Sequence, residues 1–154
     1  MTKRVLSLTE MVALRKKLRR QGKKVVFTNG VFDILHVGHL SLLEKSKDLG
    51  DILIVGLNSD ASTRRLKGNS RPLVPFKDRA RLLASIRPVD YVVGFSQDTP
   101  LQLIKKLLPD ILVKGADYKI SEIVGAKEVT DAGGKVVRVR LLAGRSTSKL
   151  VELL

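Results

Sequence analysis

The chain has 154 residues, 44% of them hydrophobic and 29% charged, which suits one soluble domain with a sizeable core. It contains no cysteine, so disulfides, thiolate metal sites and cysteine nucleophiles are excluded together. The formal net charge of +14 favours anionic partners, while 4% aromatic residues leave few stacking platforms for single-stranded nucleic acid.

No apolar run is long enough to cross a bilayer, and residues 1–8 lack a signal-peptide core. A cytoplasmic protein is expected. Ser7-Leu8-Thr9-Glu10 has the spacing of a capping box and opens a first helix. Leu8, Met11, Val12, Leu14 and Leu18 are its candidate buried positions. Arg15, Lys16, Lys17, Arg19, Arg20, Lys23 and Lys24 read as a solvated basic face. A first strand follows over 24–28, then a helix over 38–49 closed by Gly50. The second strand spans 52–57. A polar loop over 58–75 carries Arg64, Arg65, Lys67 and Arg71. The next helix places Phe76, Ala80, Leu83 and Ile86 on one face. A third strand spans 91–95, and Thr99-Pro100 starts another helix with proline at its first position. The fourth strand covers 111–113. A helix from about Ser121 ends at Gly133-Gly134, and a fifth strand spans 136–141 before a final helix.

Strands preceded by Asp51, Asp90 and Asp110 begin alike. These aspartates suit a structural role, bridging a helix end to a strand start on the edge away from any ligand. Short, continuously apolar strands alternating with helices predict a Rossmann-like α/β fold, with a doubly wound, parallel, five-stranded sheet. A single domain is expected, with a helix in 1–22 ahead of a catalytic core in 23–154.

In such a sheet, chemistry gathers in the loops after the strands. The loop over 28–39 holds both histidines of the chain, His36 and His39, around Gly38. Gly30 and Gly38 permit close backbone approach, and free N–H groups at the following helix start can bind phosphate oxygens. Two imidazoles add donors to such a seat. A zinc pair would need further ligands, and only carboxylates remain. Gly144-Arg145-Ser146-Thr147-Ser148 precedes the last helix and forms a second anion seat without Walker A spacing. Lys67 lies beside Gly68-Asn69-Ser70 as a mobile cation able to close over a polyphosphate. Arg79 could reach the same edge, and Lys114-Gly115-Ala116-Asp117-Tyr118 could hold a sugar or base.

These residues resemble the nucleotidyltransferase superfamily marked by a His-x-Gly-His signature, from about Lys23 to the end of the chain. Within it, 28–36, 58–63, 65–68 and 113–118, with Glu128-Val129 and Gly133-Gly134, are most similar to bacterial heptose 1-phosphate adenylyltransferases. The resemblance implies transfer of AMP from ATP to a heptose 1-phosphate, giving ADP-heptose and pyrophosphate for lipopolysaccharide or related glycans. It implies magnesium held chiefly through the ATP phosphates, with no protein ligand named. His36, His39 and Lys67 are then the catalytic candidates. Thr28, Asn29, Gly30, Val31, Phe32, Gly38, Arg79, Lys114, Gly115, Arg145, Ser146, Thr147 and Ser148 are the nucleotide-binding ones. Asp33, Asn58, Asp60, Asp117 and Tyr118 are the substrate-binding ones. Many relatives carry this domain behind a sugar kinase, so a separate kinase is expected to supply the substrate. A homodimer is expected, with no nucleic-acid or membrane partner.

Arg145 stands where relatives that use CTP often have isoleucine, and Leu141-Leu142-Ala143 lacks the arginine they often carry. Arg145 is expected to supply that charge. The competing expectations are a glycerol-3-phosphate cytidylyltransferase or FAD synthetase of the same superfamily, and a nucleic-acid-binding protein drawn by the +14 charge.

Overall fold

Runs such as Val25-Val26-Phe27 bury every residue, because both faces of the sheet they form are covered. The computed structural model describes residues 3–142. Its elements run β1 (Val5–Leu6), α1 (Leu8–Arg20), β2 (Val25–Gly30), α2 (Val37–Lys47), β3 (Ile52–Asn58), α3 (Asp60–Lys67), α4 (Phe76–Ser85), β4 (Tyr91–Phe95), α5 (Leu101–Leu107), β5 (Ile111–Gly115), α6 (Ala126–Asp131) and β6 (Lys135–Val139). The strands are parallel, in the order β1-β4-β3-β2-β5-β6. After β4 the chain crosses back over β2 to add β5 and β6. The switch point therefore lies between β2 and β5, where open parallel sheets place ligands.

Side chains alternate across β2. Val25 and Phe27 join α1, α5 and α6 in one core layer, through Met11, Leu18, Leu103, Ile104 and Val129. Val26 joins α2 and α4 in the other, through Leu43, Ala80 and Leu83. The first helix is thus part of the common core. Gly56 faces Phe27 so closely that a Cβ there would sit 2.6 Å from the ring.

Several expectations need correction. Among the described residues the sheet has six strands, because Val5–Leu6 pairs with Val92 and Val93 of β4. Two residues are too few to show a strand period. The polar segment after β3 contains α3, whose N-cap Ser59 accepts from the Ser62 N–H at 3.1 Å. The helix expected from Ser121 is a 3-10 turn at Ile120–Glu122 and a short α6, separated by Gly125 in the left-handed region at φ 87°. A Cβ on Gly125 would meet Ile104 at 2.7 Å, so close packing on α5 sets that break. Pro100 is the N-cap of α5 and not its first helical residue.

Arg15 is not on a solvated face. It is 3% exposed, donates to the carbonyls of Leu107 and Leu108 at the end of α5, and pairs with Asp110 at 3.4 Å. The three strand-leading aspartates are structural. Asp51 accepts from the Lys24 N–H, Asp110 from Val25 and Asp90 from Leu53. Each carboxylate thereby satisfies a backbone donor at the start of β2 or β3.

Candidate active site

The N-terminus of α2 is capped by its own two histidines. His36 is the N-cap, and its Nδ1 accepts from the Gly38 N–H at 3.1 Å. His39 Nδ1 accepts in turn from the His36 N–H at 3.3 Å. The histidine pair takes the place that a serine and glutamate hold in a usual capping box. Because both Nδ1 atoms accept, each neutral ring carries its proton on Nε2. The rings stack with centroids 3.8 Å apart and planes inclined by 23°. Burial, and then the repulsion that a second protonated ring at His36 would exert, push His39 down from 6.5 to about 4. At neutral pH His39 is a neutral N–H donor.

Phe32 braces the pair. Its ring meets His39 edge-on at 5.1 Å, and it is buried at φ 48°. A bulky side chain in the left-handed region is strained, and such strain gathers at functional sites. A Cβ on Gly30 would sit 3.0 Å from that ring, so glycine leaves room for Phe32.

The histidines border a cavity of about 360 Å³ at the carboxyl ends of β2 and β5. Of the residues expected at the site, it brings together Thr28, Asn29, Gly30, Val31, Phe32, Asp33, His36, Gly38, His39, Lys67, Lys114, Gly115, Asp117 and Tyr118. Thr28 Oγ1 donates to the Val113 carbonyl at 3.1 Å and ties β2 to β5 under the floor. Asn29 Oδ1 is buried and accepts no hydrogen bond among the described residues. Lys114 is pushed below the usual lysine range by burial, against the opposing charge of Asp117, and its Nζ lies 5.2 Å from the Tyr118 ring centre.

Three expected site residues do not line the cavity. Arg79 is buried and donates to the carbonyls of Val74, Val31 and Asn58 and to Asp60 Oδ1, all between 2.6 and 2.9 Å. Its fork holds the end of β3, the β2–α2 turn and the start of α4 together. That corrects its expected role at the phosphates. Asp60 also accepts from the Phe76 N–H, and Asn58 donates to Ser62 Oγ. Asp33 reaches the wall, but its oxygens accept from Arg71 Nε and from the N–H groups of Leu73 and Val74. Burial would raise the Asp33 carboxyl, yet those N–H groups and Arg71 outweigh it and hold it below the usual range. Arg145, Ser146, Thr147 and Ser148, and the final helix, lie outside the described residues.

Arg71, Leu42, Leu141 and Leu142 line the cavity without having been expected there. Arg71 was visible as a cation in a polar loop. Nothing local distinguished it from Arg64 or Arg65.

Residues 27–150 match the family model described as cytidylyltransferase-like. The chain is 57% identical over 132 residues to the bifunctional protein HldE of Citrifermentans bemidjiense, covering 86% of this chain and 27% of that protein. It is 51% identical to the HldE of Syntrophotalea carbinolica, covering 99% of this chain and 32% of that protein. The chain thus spans about a third of the length of these curated relatives. A lipopolysaccharide core biosynthesis protein from Thermoplasma volcanium superposes with a TM-score of 0.64 at 33% identity, over 79% of this chain and 98% of that one. A pantoate-beta-alanine ligase from Francisella tularensis, at 16% identity and a TM-score of 0.66 over 96% of this chain and 69% of its own, shares the fold. By the family model across most of its length and the close relatives matched alongside it, the chain belongs to the cytidylyltransferase-like family.

Proposed function

We propose that this chain transfers AMP from ATP to a heptose 1-phosphate, forming ADP-heptose and releasing pyrophosphate. The observation that carries the reading is the stacked His36–His39 pair, with its Nε2 donors, in one cavity with Lys67 and Lys114. The resemblance to heptose 1-phosphate adenylyltransferases and to the lipopolysaccharide core biosynthesis protein of Thermoplasma volcanium supports the substrate class.

The nucleophile is a phosphate oxygen of the sugar phosphate, which with a second pKa near ~6 is largely ionised at neutral pH. It forms a bond to the α-phosphorus, the bond to the bridging α–β oxygen breaks, and pyrophosphate leaves with that electron pair. No strong base is needed. The barrier is the meeting of two anions and the charge that builds on the α-phosphate and the leaving group. Neutral imidazole donors at a helix N-terminus act on that charge without repelling magnesium. The N–H groups of the 28–32 segment line the phosphates, and Lys67 closes over the reacting centre. Asp117 and Tyr118 face the sugar, and Ser146, Thr147, Ser148 and Arg145 hold the outer phosphates.

Asp33 is engaged by Arg71 and by the N–H groups of Leu73 and Val74, from the segment that follows α3. A magnesium ion carried in by the triphosphate would offset phosphate charge there. A homodimer, and a sugar kinase upstream, complete the proposal. Among the described residues no helix is long and apolar enough to cross a membrane.

Pyrophosphate release with each of the four nucleoside triphosphates and heptose 1-phosphate tests the reading. ATP with heptose 1-phosphate should be the productive pair. Turnover with CTP and glycerol 3-phosphate, or with ATP and flavin mononucleotide, would replace it with a sibling activity. Salt-sensitive RNA or DNA binding without turnover would replace it with nucleic-acid recognition.

A further inference from the structure

Arg71 is half-buried beside the cavity, and among the described residues only its Nε is engaged by a protein acceptor. Its side chain is 11% exposed, and it lines the same cavity as the histidines. Its Nε donates to Asp33 Oδ2 at 2.7 Å. Among the described residues its two terminal nitrogens make no hydrogen bond. Asp33, with a side chain 1% exposed, is the one carboxylate paired with Arg71 among those residues. That carboxylate is shared, since it also accepts from the Leu73 N–H at 3.0 and 2.8 Å and from Val74 at 2.9 Å. A guanidinium largely withdrawn from solvent, with one divided counter-charge, is suited to a second anion. The edge left open is the planar pair of terminal nitrogens, whose spacing matches two phosphate oxygens.

The flanks of the cavity indicate which phosphate this is. Lys67 and Arg71 follow β3, on one side of β2, while Lys114, Asp117 and Tyr118 follow β5, on the other. The β5 flank offers a carboxylate and an aromatic ring, which suit hydroxyls and a ring face. The β3 flank offers two cations, with its nearest carboxylate already engaged. Between them stand the imidazoles at the start of α2, which suit the triphosphate. Phosphate-to-phosphate transfer needs a second anion pressed against the first. Resting on the nucleotidyltransferase reading, the geometry points to Arg71 as the residue that binds the phosphate monoester of the acceptor, with Asp33 as its positioning residue.

The test compares wild type, Arg71→Gln and Arg71→Lys in two measurements. In steady state, Arg71→Gln should raise the KM for heptose 1-phosphate by about tenfold or more, the scale of charge-assisted hydrogen bonds, with the KM for ATP little changed. Arg71→Lys should recover only part of this, because one ammonium cannot reproduce the fork. In calorimetry with a non-hydrolysable ATP analogue present, inorganic phosphate should bind wild type and lose about tenfold or more in Arg71→Gln. Equal phosphate binding by wild type and Arg71→Gln overturns the site, whatever the turnover. Equal losses in both KM values, or identical losses in the two variants, reduce Arg71 to a loop anchor. A wild type that binds phosphate through Arg71 but makes no ADP-heptose leaves this site standing and removes the heptose reading.

Discussion

His36 and His39 each serve two masters. In each, Nδ1 accepts a backbone N–H to cap α2, which assigns the ring proton to Nε2. The capping bonds set the tautomer that the proposed transfer uses. Because His39 is held down to about 4, its ring binds a proton more weakly in the fold than in the unfolded chain. The neutral ring's contribution to stability is fully present above the ordinary 6.5 and is lost as pH falls from there through about 4. A carbon–proton NMR titration should therefore show the His39 ring neutral at pH 6 and protonating near 4; a midpoint near 6.5 would overturn the burial argument. His39→Ala should lower turnover by about a hundredfold or more, the scale seen on removing one oriented donor, with a small change in melting temperature. The placement of this pair was legible in the sequence because the spacing of His36, Gly38 and His39 puts both rings on one helix start. Their stacking was not legible, since it depends on Phe32 at a positive φ.

At the scale of elements, buried ions decide how loops meet strands. Arg79 joins the end of β3, the start of α3 and the β2–α2 turn to the 71–75 segment through four hydrogen bonds, with a side chain fully out of solvent. Arg79→Met should destabilise the protein by about 3 kcal/mol or more, because Asp60 and three carbonyls lose their donor. Urea unfolding measures this, and a loss below about 1 kcal/mol would show that water replaces the guanidinium. Elements with a strong period were readable: β3, α4 and β4 fall where the apolar spacing places them. α3 was not. Its eight residues, Asp60 to Lys67, bury only Ser62 and Thr63, so no apolar stripe marks it. Arg15 was misread for a related reason. A guanidinium among lysines looks solvated until α5 ends beside it and offers its last carbonyls.

At the scale of the whole molecule, the sheet order assembles the cavity. Loop 28–39, the end of α3, the 71–74 segment and the end of β5 are far apart in the chain and converge only because β3 and β5 flank β2. The sequence by itself determined the alternation of strands and helices, the strand-leading aspartates and the histidine pair. These follow from local period, turn chemistry and spacing along one segment. The tertiary structure alone decided that Arg79 is a buried tie, that Asp33 is a latch and that Arg71 faces the cavity. A cation's role depends on which acceptors surround it, and those acceptors come from strands and loops that only the folded sheet brings within reach.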